Sequence, residues 1–245
     1  MITISEYTTK TPLKMIGEFA GLCWGANTKD NEKNIKRAID CIMSEHGRTE
    51  EFPDVYLIID GNSAKCLREL YTHIGGAPTR LQASTRYIDY EKKGVPVVTP
   101  HSVANQELAK EAWNETIEAI KNGMNKLKAF GIPNEDVTNL LPLAYQSKMV
   151  WKVNLRTLIN FMNKRLCTRA YWEIRETSLE LKKLLSEYSD EWKKITDMLF
   201  VPTCEKYKFM NPDFCFCTES KCCGRHIHVS NICIRDKRTE VDDGR

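Results

Sequence analysis

The chain has 245 residues and a mass of 28.3 kDa, with 42% hydrophobic and 28% charged residues. Its 36 basic and 33 acidic side chains leave a formal charge of +3. That composition excludes collagen and long disordered chains, no apolar run approaches the ~18–20 residues of a membrane span, and the clustered basic excess of a nucleic-acid binder is missing. The length favours one large domain, able to bury ~70–75% of its unfolded surface without a disulfide or metal staple. Residues 1–10 are too polar for a signal peptide, so a cytoplasmic protein with neither membrane nor nucleic acid as partner is expected.

In chain order, residues 15–46 read as mostly helical, with Ile35, Ala38, Ile39 and Ile42 recurring at three and four residues. Val55, Tyr56, Leu57, Ile58 and Ile59 follow Pro53 as a β-branched and aromatic run that predicts a strand. Residues 60–63, Asp-Gly-Asn-Ser, read as its turn, with Ser63 capping a helix through Tyr71. Two glycines and a proline in residues 72–79 break all periodicity. Residues 84–98 look extended, residues 103–131 form a long helix, and residues 151–199 are helical with one break near 188–190. After Pro202 the composition turns to cysteine, histidine and aromatics. The fold class is therefore α+β: a central, mostly antiparallel sheet flanked by long helices, with a small Cys-rich C-terminal appendix. Residues 1–200 form the main domain, 201–234 the Cys/His-rich extension, and 235–245 a charged tail expected to be disordered.

Within residues 154–175, Leu155, Leu158, Ile159, Met162, Leu166 and Ala170 fall on one helical stripe. Arg156 and Asn160 border one margin of it, Asn154 and Arg165 the other. Solvated margins with an Arg169–Glu173 ion pair four residues apart are one reading. The other is a grip on planar anionic ligands, since asparagine is a poor helix former and guanidinium binds phosphate bidentately. Upstream, residues 79–87 combine two arginines, three hydroxyls, a glutamine and a tyrosine, groups suited to a phosphate and the amide-like edge of a pyrimidine. Gly75 and Gly76 let backbone N–H groups approach an anion. An ordinary polar turn feeding a strand fits the same composition equally well.

Ser84-Thr-Arg-Tyr87, Asn154-Leu-Arg-Thr-Leu-Ile-Asn-Phe-Met-Asn-Lys-Arg165 and Ala170-Tyr-Trp-Glu-Ile-Arg175 together resemble the flavin-dependent thymidylate synthases. The resemblance spans roughly residues 15–175 and continues weakly into 204–225. It implies a homotetramer with active sites at subunit interfaces. FAD would be the cofactor, NADPH the reductant, methylenetetrahydrofolate the carbon donor and dUMP the substrate, with no cysteine attacking the pyrimidine. Carried over by position, Arg165 and Ser84 are the catalytic candidates. Arg86 and Arg165 would hold dUMP, with Glu69, Gln82, Ser84, Thr85 and Lys148 beside it. Gln82, Asn154, Arg156 and Asn160 would meet FAD, as would the segment Thr72, His73, Ile74, Gly75 and Gly76.

The family pattern Arg-His-Arg is here Thr72-His73-Ile74, and Phe52 stands where a flavin-contacting histidine is expected. Glu69 replaces a glutamine that faces the nucleotide, and Tyr171 a glutamine before Trp172. These departures match a branch found in Gram-positive bacteria and their phages, and backbone N–H groups of Gly75 and Gly76 are expected to replace the missing arginines. They also keep open a hydroxymethyl-transferring relative.

Six of the ten cysteines lie between Cys204 and Cys233, joined by His226 and His228. Cys223, His228 and Cys233 match the last three ligands of a zinc knuckle, whose first would fall on Ser220. Reduced thiols packed against the domain, or a disulfide formed on oxidation, fit equally, so no residue is assigned as a metal ligand. A zinc-dependent nucleic-acid-binding module is the alternative of another class.

Overall fold

The computed structural model describes residues 1–73, 78–88 and 94–232. Four strands, β1 (Ile2–Ile4), β2 (Asp54–Ser63), β3 (Thr79–Gln82) and β4 (Gln146–Asn154), form one sheet in the order β1-β2-β4-β3, with every neighbour antiparallel. Period-two alternation decides its two faces. Val55, Leu57, Ile59, Met149, Trp151 and Val153 are fully buried, whereas Ile58, Val150 and Leu81 point the other way and stay exposed.

The buried face is covered by α1 (Pro12–Cys23), α2 (Asn31–Met43), α3 (Ala64–Leu70), α7 (Leu155–Arg165), α8 (Trp172–Tyr188) and α9 (Asp190–Leu199). A short α4 (His101–Ala104) precedes the long α5 (Glu107–Ala129), which packs with α6 (Asn134–Val137) around Met124 and Val137 as a separate small core. The α+β class and the helix-flanked antiparallel sheet are as read from the sequence.

Three local expectations change. Residues 60–63 are not a turn: β2 runs on to Ser63 through a bulge between Asp60 and Asn62, where Gly61 takes φ +84°. Ser63 then caps α3, accepting from the Cys66 N–H at 3.0 Å. Instead of an extended run at 84–98, the strand is Thr79–Gln82, because pairing with β4 decides it. Residues 89–93 lie outside the description. The predicted helix start at Trp151 is the end of β4. The break near 188–190 is present, with Ser189 capping α9. Among the described residues no helix is long and apolar enough to cross a membrane. The tail expected to be disordered, 235–245, lies outside the described residues.

Candidate active site around helix α7

Helix α7 starts where β4 stops. Asn154 is its N-cap, the buried side chain accepting from the Thr157 N–H at 2.9 Å. Leu155, Leu158, Phe161 and Met162 fill the core, and Leu166 closes the turn after Arg165. The helix is shorter than the predicted 154–175 stretch, so Ala170 is not on its stripe. The expected Arg169–Glu173 pair is not made. Glu173 is buried, and its carboxylate takes the Ser63 N–H at 2.6 Å and the Ser63 hydroxyl at 2.5 Å. Neither Ser63 nor Glu173 had carried a site role in the sequence, because 110 residues separate them.

On one flank, Arg156 and Asn160 line a cavity of about 690 Å³ together with Ile42, Glu50, Lys206 and Phe209. Arg156 Nη1 donates to Glu51 Oε1 at 2.6 Å. Gly47 lies directly against that guanidinium: a Cβ there would sit 3.0 Å from Arg156 Nε, so the side chain would have to give by a few tenths of an ångström. Burial pushes the Glu50 carboxyl up to about 7, against the opposing pull of Arg156 and Lys206. Phe52, in the expected histidine's place, packs edge-on against Phe19 at 4.9 Å.

On the opposite flank, Arg165 meets the end of α3. Its guanidinium pairs with Glu69 Oε2 at 2.8 Å and donates to Thr72 Oγ1 at 3.0 Å. It donates further to the Glu69 carbonyl at 3.4 Å and to His73 Nε2 at 3.1 Å. Guanidinium has no acceptor, so His73 Nε2 must be the unprotonated nitrogen. Burial, with the Arg165 and Arg80 charges, holds the imidazole down to about 4, so it is neutral at physiological pH. Edge-on packing against Phe161 at 5.0 Å fixes the ring. Arg80 is one of the two arginines of residues 79–87, and the resemblance gives it no role. It donates to the His73 carbonyl and lies over the Tyr71 ring at 5.0 Å, tying β3 to this cluster.

Gln82 ends β3 with its amide 3.4 Å from Ser147 Oγ. The Ala83 N–H donates to the Lys148 carbonyl at 2.8 Å, which brings the start of the next loop against β4. In that loop Ser84 Oγ accepts from the Arg86 N–H at 3.2 Å, and Arg86 pairs with Glu135 at 2.7 Å. The Asn134 amide holds the loop through the carbonyls of Thr85, Arg86 and Ile88. Lys148 pairs with Asp60 at 2.7 Å. The structure thus gathers Glu69, Thr72, His73 and Arg165 into one cluster. Among the described residues no side-chain hydrogen bond joins that cluster to Ser84, Arg86 or Lys148. Ile74, Gly75 and Gly76 lie outside the described residues, so the expected N–H nest does too.

In the C-terminal extension, His228 Nδ1 is engaged by Ser230 at 2.6 Å, and Cys233 lies outside the described residues. Cys204, Glu205 and His226 instead bring donor atoms within 4.8 Å of one another.

The family model for the thymidylate synthase complementing protein matches residues 3–189. Flavin-dependent thymidylate synthases are the similar curated proteins. The one from Pyrococcus abyssi is 31% identical over 210 residues, covering 79% of this chain and 84% of that protein. The one from Clostridium tetani is 25% identical over 258 residues and covers 94% and 96%, extension included. Two solved structures share the fold. A UMP/dUMP methylase PolB from Streptomyces cacaoi, bound with 5-Br dUMP, has a TM-score of 0.69 at 14% identity, covering 82% of this chain and 96% of that one. ThyX from Helicobacter pylori, complexed with FAD and dUMP, has 0.61 at 21%, covering 79% and 98%. With that match over most of its length, the chain belongs to the flavin-dependent thymidylate synthase family.

Proposed function

We propose that this protein converts dUMP to dTMP in the cytoplasm as a homotetramer, using FAD, NADPH and methylenetetrahydrofolate. The observation that carries the reading is the division of labour across α7: Arg156 and Asn160 on an open cavity, Arg165 on a rigid polar cluster. About 690 Å³ lies within the ~300–1,000 Å³ of ordinary ligand sites. Its lining is apolar at Ile42, Ile159 and Phe209 and cationic at Arg156, Lys164 and Lys206, so a flat heteroaromatic ring carrying a diphosphate would displace Glu45 from Lys206 and lie beside Glu50. Arg156 and Asn160 would hold the flavin, with Asn154 fixing the helix end that carries them. When bound, FAD supplies the hydride that completes the methyl group.

The remaining work falls to the chain. Arg165, held at fixed orientation, stabilises negative charge developing on the uracil carbonyl as C5 becomes nucleophilic. Neutral His73 accepts from Arg165 without competing with the substrate for charge. Glu69 is the counter-ion that holds Arg165 in that orientation. Ser84, Thr85, Arg86, Gln82 and Lys148, on the loop after β3 and the adjoining strand, grip the nucleotide; Arg86 and Lys148 leave Glu135 and Asp60 to do so. Thr72, His73, Ile74, Gly75 and Gly76 complete the flavin contacts.

Assembly is supported by the unpaired sheet face. Ile58, Val150 and Leu81 stand opposite one another across three strands, and all are exposed. A row of this kind is what a subunit contact buries.

The test is an absorbance titration with FAD, then anaerobic NADPH with and without dUMP, and mass analysis of the nucleotide product. Flavin bands that bleach with NADPH, and a product heavier by one methyl group, establish the reading. A product heavier by a hydroxymethyl group establishes the second reading, a dUMP hydroxymethylase. Absence of flavin binding refutes both. The zinc-dependent nucleic-acid module leaves unexplained the match over residues 3–189.

A further inference from the structure

Just beyond the C-terminal end of α7, a second cavity of about 230 Å³ is lined by Cys167, Cys204, Cys217 and Cys223. These thiols come from three separate places in the chain: the turn after α7, the start of the extension, and its tip. The backbone holds these places together: the Phe216 N–H donates to the Cys204 carbonyl at 3.0 Å, the Cys217 N–H to the Ile227 carbonyl at 2.8 Å and the Val229 N–H to the Cys217 carbonyl at 2.8 Å. Lys164, near the end of α7, donates to Glu219 Oε1 at 3.1 Å and ties the tip of the extension to the helix. Lys164, Arg165, Arg169 and Lys221 line the same cavity.

We propose that Cys167, Cys204, Cys217 and Cys223 bind one zinc ion, a structural site that fastens the C-terminal extension to the end of α7. Four thiolates are the ligand set of closed structural zinc sites, with Zn–S near ~2.3 Å. Binding releases four thiol protons and leaves a complex of net charge −2, which Arg169 and Lys221 balance, Lys164 being paired with Glu219 and Arg165 with Glu69. No three of the four sulfurs lie within 4.8 Å of one another, so zinc would have to draw them together. The competing donors, Cys204, Glu205 and His226, lie closer together but number three. Their carboxylate is already matched: Glu205 Oε1 holds His226 at 3.1 Å and Arg225 at 3.3 Å. A metal there would face Arg225. The zinc site does not depend on the proposed reaction, though it ends on the residue after Leu166 and so fixes the turn that follows Arg165.

The test is elemental analysis of the full-length protein, purified under reducing conditions from zinc-supplemented cells. One zinc per chain is expected, lost to background in Cys167→Ser and in Cys223→Ser and retained in His226→Ala and Cys23→Ser. Circular dichroism checks that the variants fold. Cobalt titration of the metal-free wild-type protein needs no variant: intense thiolate charge-transfer and tetrahedral d–d bands are expected. A wild-type protein without zinc and without those cobalt bands overturns the site. So does zinc retained in Cys167→Ser but lost in His226→Ala, which places the metal at the other trio. Fewer than ten thiols titrating in the denatured, unreduced protein would make the pairing a disulfide and overturn it equally.

Discussion

The two flanks of α7 are held by opposite means. Arg165 is 18% exposed and makes four contacts with three residues, each itself fixed by α3 or by Phe161. Arg156 is 54% exposed and rests on one carboxylate, Glu51, at 2.6 Å. The first geometry is preorganised, so that little rearrangement is needed when charge develops beside it. The second is an exposed ion pair, worth ~0–1 kcal/mol, which an anionic ligand can replace at little cost. One helix thus carries a fixed electrostatic element for chemistry and an exchangeable one for binding.

Removing Arg165 is the largest test of that contrast. Arg165→Ala should lower turnover by ~10²–10³, the cost of deleting one preorganised donor. FAD absorbance in the purified protein should be retained. Equal loss of flavin and turnover would mean that the two flanks are one site. Next, Arg156→Ala should weaken FAD by roughly 1.5–3 kcal/mol, about 10–100-fold in Kd, since a charged hydrogen bond is lost. Turnover at saturating FAD should be nearly unchanged, as read by steady-state kinetics with added flavin.

How much of this was legible in the sequence differs between the flanks. Arg156 and Asn160 share a helical margin, and spacing alone places them together. Arg165 with Glu69 and His73 spans more than ninety residues, which periodicity cannot connect; the family pattern put Arg165 and Glu69 at the nucleotide but His73 at the flavin. Strand β4 alternates buried Ser147, Met149, Trp151 and Val153 with more accessible Gln146, Lys148, Val150 and Lys152, a plain period of two. It was absorbed into the helix because its end runs straight into Asn154 without a glycine or proline between. Strand β3 was misplaced for a different reason: four residues make a strand only because β4 lies beside them. Cys167 attracted no notice because a single thiol after a helix has no pattern until the extension folds back onto it.

A finer probe of the rigid flank is Glu69→Gln. A carboxylate beside Arg165 offsets its charge and repels the anionic nucleotide. Replacing it with an amide should tighten dUMP by roughly 1 kcal/mol, the upper range for a partly exposed pair. Isothermal titration with FAD-loaded protein reads this directly, and weaker dUMP binding would show that Glu69 positions Arg165 more than it screens it.

The smallest effect separates the flanks by pH, because their buried titratable groups are displaced in opposite directions. His73 is held down to about 4 from an ordinary 6.5, so its contribution to stability is present above 6.5 and lost as pH falls toward 4. Glu50 is pushed up to about 7 from an ordinary 4.5, so its contribution is present below 4.5 and lost as pH rises through 7. Acid therefore loosens the Arg165 flank and alkali the Arg156 flank. Glu50→Gln should raise Tm at pH 8 by ~2–4 °C, about 1 kcal/mol for a chain of this size, and change nothing at pH 4. His73→Gln, which keeps an acceptor for Arg165, should flatten only the acidic arm of the same melting profile. If either substitution moved both arms, the two sides of α7 would be coupled through the helix, and the division between fixed and exchangeable arginine would not hold.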